Sequence, residues 1–183
     1  MIVSNDSIFW SLIEDAKSNA QNNICEYLMG KLDSLSVEDI YKFDITFINK
    51  MNALCTLKTL SALVIIDSWA GDECFDDFRS WIISQGKIFF EQFITDPDEL
   101  TDILFIESDK RGYAPRRQCL QRIGTRVIYQ KMGNDDFAKT DFYKTHISNR
   151  SYGDAISDLN APHFTDKQLK TTFPKLWAAF NPS

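Results

Sequence analysis

Asp72, Glu73, Asp76, Asp77 and Arg79 crowd one short stretch of this chain and are its nearest approach to a reactive constellation. On a helix Asp72 and Asp76 share a face, Glu73 and Asp77 share the adjacent one, and Arg79 follows Asp76 by three residues. Clustered carboxylates raise one another's pKa, which suits acid–base work, and their oxygens suit a hard cation. The same residues have a plainer use. Acids in a first helical turn complement the macrodipole, and an Asp–Arg pair three apart is an ordinary surface contact. The Asp-x-Asp-x-Asp-Gly pattern and distal Glu of an EF-hand are missing, so no metal is assigned. Asp72, Glu73, Asp76 and Arg79 are therefore the catalytic candidates, with the structural reading preferred.

A second constellation is basic. Lys110, Arg111, Arg116, Arg117, Arg122, Arg126 and Lys131 fall in a segment without a single acid. Pro115 is expected to open a helix here, with Leu120, Ile123 and Val127 facing the core and Gly133-Asn134 closing it. On that helix Arg122 and Arg126 stand one turn apart, a paired clamp for phosphate or carboxylate. Arg116, Arg117, Arg122 and Arg126 are the candidates for anion or partner binding, and Tyr113 and Tyr129 add aromatic surface. A pI near 4.9 argues against nucleic acid as the partner. The competing reading packs the basic helix against the acidic first half of the chain, where buried pairs fix register more than they add stability.

Other chemistry is sparse. His146 and His163 lack metal spacing and an identifiable orienting partner. Cys25, Cys55, Cys74 and Cys119 form no Cys-x-x-Cys pair and read as reduced, mostly buried thiols. Cys74 lies near a helix start, but its acidic neighbours oppose a thiolate. Glycine-rich phosphate loops, Gly-x-Ser-x-Gly elbows and His-Glu-x-x-His pairs are absent, and no cofactor is implied.

The elements that must position these residues read as helices. Ser4 to Ser7 offer caps for a helix carrying Ile8, Phe9, Leu12, Ile13 and Ala16 at helical spacing. Asn23 to Asp33 stacks Cys25, Leu28 and Leu32. Ser36 and Asp39 have the form of a capping box before Ile40, Phe43, Phe47, Ile48 and Met51, with Asp39 reaching back to the cap's backbone N–H. Leu57 to Trp69 is apolar nearly all round, as suits a helix with neighbours on several sides, although its Leu-Val-Ile-Ile run is equally a buried strand by pattern. After Gly71, with Asp72 as cap, Phe75, Phe78, Trp81 and Ile82 mark another helix that Gly86 ends. Asp96-Pro97-Asp98-Glu99 starts a short helix through Leu104. Residues 134–160 read as a long polar loop with one helical turn near Asp154 to Leu159. Thr165 and Gln168 form another capping box, and the aromatic tail from Phe173 to Phe180 is expected to dock on the core. Four tryptophans and 14 phenylalanines are most simply core.

The expected fold is therefore all-α, a single-domain bundle of about seven to eight helices spanning 1–183, with a soft hinge near 107–112. A chain of 183 residues buries about 70% of its unfolded surface and needs no staple. Its longest apolar run, Leu60 to Ile66, is far too short to cross a membrane, and its amino terminus lacks the look of a leader. Cytoplasm is the expected address.

The blocks Phe9-Trp10-x-Leu12-Ile13, Asp72-Glu73-x-Phe75-x-x-Phe78-Arg79-x-Trp81-Ile82-Ile83-x-x-Gly86 and Asp96-Pro97-Asp98-x-Leu100 resemble a bacterial family catalogued as a domain of unknown function, the DUF4240 type. The closing Phe173-Pro174-x-Leu176-Trp177 is similar to that family's tail. Where the family carries glycines and Ser-Asp-Asp before the Phe-Arg-x-Trp block, this chain has Trp69-Ala70-Gly71-Asp72-Glu73. The resemblance implies a whole-chain helical domain and brings no mechanism.

Charge supplies the functional expectation. Net charge is −6, yet residues 1–109 hold 20 acids against 7 bases, residues 110–131 hold 7 bases and no acid, and the remainder balances at 6 against 6. An acidic body selects cationic partners and speeds their association. The expectation is a protein-binding module that neutralises or regulates a basic protein such as a toxin or nuclease, as an immunity protein does. The alternative is an enzyme acting on an anionic small molecule or nucleotide through the acidic turn and the arginine clamp. It requires the two to share one cleft. No membrane partner is expected, and the oligomeric state is left open.

Overall fold

Ten α-helices and two short 3-10 helices make up the described part of the chain, two more α-helices than the upper expectation. The computed structural model describes residues 5–20, 23–68, 70–108, 113–133, 140, 141, 144 and 164–181. Among them no strand occurs, so the ambiguous apolar run resolves as helix. The expected turn near Asp154 to Leu159, most of the loop 134–160, both histidines and Trp69 lie outside the described residues, as does most of the expected hinge.

The third helix starts where its capping residue predicts, at Ser36. α1 spans Asn5–Asn19, α2 Ile24–Asp33 and α3 Val37–Ala53. Asn23 and Ser36 accept backbone N–H bonds from Glu26 and Asp39. Asp39 returns to the Ser36 hydroxyl, at 2.7 Å, where a backbone N–H was expected. Thr56 caps α4 (Leu57–Asp67), which is buried on nearly every side. α5 (Asp72–Ser84) begins at Asp72 itself, with Gly71 in the cap position and no side-chain cap.

Two of the added elements have legible causes. Gly86, at φ +91°, lets the chain turn directly from α5 into α6 (Lys87–Thr95), a helix the sequence reading passed over. Pro174, which suits a first helical turn, divides the tail into α9 (Asp166–Thr172) and α10 (Pro174–Phe180). Asp96 caps a 3-10 turn, Pro97–Leu100, that runs into α7 (Thr101–Glu107), so the short helix extends one turn beyond Leu104.

The basic segment departs most from expectation. It is no single helix: residues 113–117 have no regular secondary structure, Gln118–Leu120 form a 3-10 turn, and α8 covers only Ile123–Met132. Arg122 holds the left-handed conformation at φ 59°, which breaks the helix Pro115 was expected to open. The backbone N–H of Arg117 meanwhile donates to the Asp77 carbonyl at 3.1 Å, tying this segment to α5.

One continuous core holds the helices together. α3 packs on α1, α5 and α8, while α10 closes over α4 and α7. Aromatic rings knit α1, α3, α5 and α6: Phe9 lies 5.0 Å from Trp10 and 4.9 Å from Phe43, Trp10 lies 5.2 Å from Phe90, and Trp81 meets Phe89 edge-on at 5.4 Å. Each such pair adds about 0.5–1.5 kcal/mol beyond area burial. Phe173 and Leu176 are buried, so the tail docks as expected.

Candidate functional site

Much of the acidic half of the chain is used inside the fold. Glu14 of α1 accepts the Lys87 N–H at the start of α6, at 2.9 Å. Asp44 of α3, almost fully buried, accepts the Gly124 N–H at 3.1 Å and the Thr125 hydroxyl at 2.9 Å, capping α8 from a distance. Asp98 receives the N–H groups of Lys175 and Leu176 at 3.2 and 2.8 Å and caps α10. These carboxylates satisfy backbone donors that a helix start leaves open. They come so close that a Cβ on Gly124 would stand 2.3 Å from an Asp44 oxygen.

The acidic turn separates into unlike members. Asp76 and Arg79 form a buried ion pair, both at most 5% exposed; Arg79 also donates to the Met51 carbonyl at 2.9 Å and lies 4.5 Å over the Phe75 ring. Its Nε is buried with no acceptor. Glu73 is exposed, and Asp72 is half-buried. Asp77 accepts from the Gln121 side-chain amide at 2.8 Å. Burial pushes the Asp77 carboxyl up, opposed by the charge of Arg116 and assisted by Asp76 and Glu73. Among the described residues no group of three or more His, Cys, Asp or Glu side chains converges on a metal position.

The four candidate arginines also divide. Arg116 bonds at 2.7 Å to Asp67, whose side chain is fully buried and whose other oxygen takes the Ala114 N–H. Burial pulls the Arg116 guanidinium down, but its bond to Asp67 and the charges of Asp67, Cys74 and Asp77 outweigh that and raise it. Arg117 and Arg116 line a cleft of about 360 Å³ with Trp81, Glu107, Tyr113, Ala114 and Pro115. Arg122 and Arg126 do not line it. Arg126 donates instead to the Cys119 carbonyl. The internal pairing expected of the basic segment is thus seen at Arg116–Asp67 and at Lys131–Asp33, 3.4 Å apart.

Cys25 and Cys119 are joined in a disulfide across 94 residues, against the expectation of reduced thiols; Cys55 and Cys74 are outside any disulfide. Spacing along the chain hides the pairing, since α2 meets the 3-10 turn only in the folded molecule. Asp67 and Glu107 also escaped sequence reasoning. Asp67 ends an apolar helix with its partner 49 residues away, and neither has a local signal.

A different surface lies along α6 and α7. A groove of about 550 Å³ is lined by Ile88, Glu91, Gln92 and Thr95 of α6 and by Asp96, Glu99 and Leu100 at the 3-10 turn that follows it. Ile88 is 71% exposed; on α7, Ile103 and Phe105 are exposed and Ile106 is 76% exposed. Residues 87–107 carry six acids and one lysine, and all the acids except Asp98 are exposed.

A model of the family described as a protein of unknown function, DUF4240, matches residues 5–127, and the chain belongs to that family. The matched span includes the acidic turn, the groove and the cleft but stops before the tail block at Phe173. No curated protein and no solved structure matches the chain.

Proposed function

We propose that this chain is an acidic protein-binding module that engages a basic protein partner and neutralises or regulates it, in the manner of an immunity protein. The carrying observation is that α6 and α7 each leave large apolar side chains exposed alongside exposed carboxylates, Ile88 on the first and Ile103, Phe105 and Ile106 on the second. Exposed apolar residues grouped together and rimmed by charge mark interaction sites. The surface fits a basic amphipathic segment: apolar side chains would enter beside Ile88 and Ile106, and lysines or arginines would meet Glu91, Asp96, Asp102 and Glu107. Glu99 already holds Lys175, at 2.7 Å.

The enzyme reading ranks second. It needs Asp72, Glu73 or Asp76 to act beside a paired-arginine clamp, whereas Asp76 is engaged with Arg79 and Arg126 with a backbone carbonyl. Nucleic acid remains disfavoured by net charge. A cytoplasmic address and the Cys25–Cys119 bond pull in opposite directions, because such bonds persist in oxidising compartments. Thiol labelling in intact cells decides between them.

The experiment is capture from extract of the native host on the immobilised protein, at low and high salt. A stoichiometric partner of basic composition, released by salt and lost when Glu91 and Asp102 are changed to Lys, is the expected result. Recovery of no stoichiometric partner, or undiminished capture by the charge-reversed protein, overturns the reading.

A further inference from the structure

We propose that the cleft between the end of α7 and the segment 113–117 binds a small molecule carrying an oxyanion, phosphate or carboxylate, on the guanidinium of Arg117. The cleft shares Glu107 of α7 with the proposed partner surface, but Arg117, which carries the inference, lies outside that surface. At about 360 Å³ the cleft has the size of a small-ligand site. Tyr113, Pro115 and the almost fully buried Trp81 line it together with three charged side chains, Glu107, Arg116 and Arg117.

The two arginines are in different states. Arg116 is fixed and neutralised by Asp67, and its guanidinium carbon stands 5.6 Å over the Tyr113 ring. Arg117 has its backbone anchored on the Asp77 carbonyl, yet its side chain meets no acceptor among the described residues, and its Nε is buried without one. No acceptor neutralises the Arg117 guanidinium, and an oxyanion in the cleft would supply one through charge-assisted bonds from its terminal nitrogens. Arg116 adds rigid positive edge beside it. Glu107, exposed at the rim, would repel a bare anion and accept from a hydroxyl or ammonium group on the same ligand. The ligand class is therefore a small oxyanion that also carries a hydrogen-bond donor.

The test is calorimetry on the full chain at low salt, with inorganic phosphate, O-phosphoserine and glutamate as probes. Phosphoserine binding in preference to glutamate assigns the site to phosphate, and the reverse order assigns it to carboxylate. In either case Arg117→Gln is expected to weaken binding about tenfold or more, without lowering the melting temperature. Glu107→Gln is expected to tighten binding of inorganic phosphate about twofold to fivefold by removing rim repulsion, and it decides the matter should Arg117→Gln fail to fold. Arg126→Gln is expected to leave binding unchanged. Absence of saturable binding by the unaltered protein for all three probes overturns the proposal. So does equal affinity in Arg117→Gln, or an unchanged phosphate affinity in Glu107→Gln.

Discussion

Asp76 and Arg79 lie buried together on α5, where sequence spacing offered either a catalytic acid beside a guanidinium or a surface pair. Burial changes what the pair does. Removing one partner strands the other charge, which costs about 3–5 kcal/mol, whereas replacing both by apolar residues is far milder. Asp76→Ala is therefore expected to lower stability by that amount in urea unfolding, and Asp76→Leu with Arg79→Met by much less. A single mutant as stable as the unaltered protein would show the pair to be dispensable architecture. Asp77 contributes a pH dependence to this turn. Its raised carboxyl binds a proton more tightly in the folded than in the unfolded state, so its contribution is full below the unfolded value of 3.8 and is lost as pH rises through the raised value. Asp77→Asn is expected to be as stable as the unaltered protein or more so at neutral pH, with that advantage disappearing toward pH 3.8. Urea unfolding across that range checks it; a clear loss at neutral pH would mean that attraction to Arg116 outweighs burial.

At the scale of the elements, the distant carboxylate caps matter most. Asp44→Ala would leave the buried Gly124 N–H and Thr125 hydroxyl without an acceptor, at about 1–3 kcal/mol each. A total loss of about 2–6 kcal/mol is expected, read as a fall in the urea midpoint; a loss below about 0.5 kcal/mol would contradict the capping role. The Cys25–Cys119 bond closes a long loop between α2 and the basic segment. Reductant is expected to lower stability by about 2–4 kcal/mol, and Cys25→Ser should abolish that sensitivity. Local signals made much of this level legible. Periodicity over Asn23 to Asp33 and capping boxes at Ser36 and Thr165 located their helices because the information lies within one turn. Asp44 acts on α8 through contacts 80 and 81 residues away, and these had no local signature. Periodicity across residues 115–131 is compatible with one helix; what divides it is the left-handed Arg122 beside a carboxylate contributed by α3.

For the whole molecule, the charge asymmetry visible in composition turns out to have two uses. Glu14, Asp44, Asp67, Asp76 and Asp98 are engaged within the fold, and the exposed acids of residues 87–107 surround apolar side chains. Composition gave the acidic balance but could not separate carboxylates that cap helices from those that face outward, because that division depends on which helices meet. The cleft at Arg117 was likewise half legible: Arg116 and Arg117 stood among the anion-binding candidates, while Trp81 and Glu107 reach the same place only through packing. The most direct test of the partner-binding account is the affinity of the isolated partner for the unaltered protein and for Ile106→Glu. A loss of tenfold or more, with an unchanged melting temperature and equal binding by Arg117→Gln, is the result the account predicts. Full affinity in Ile106→Glu would contradict it and move the partner to another face.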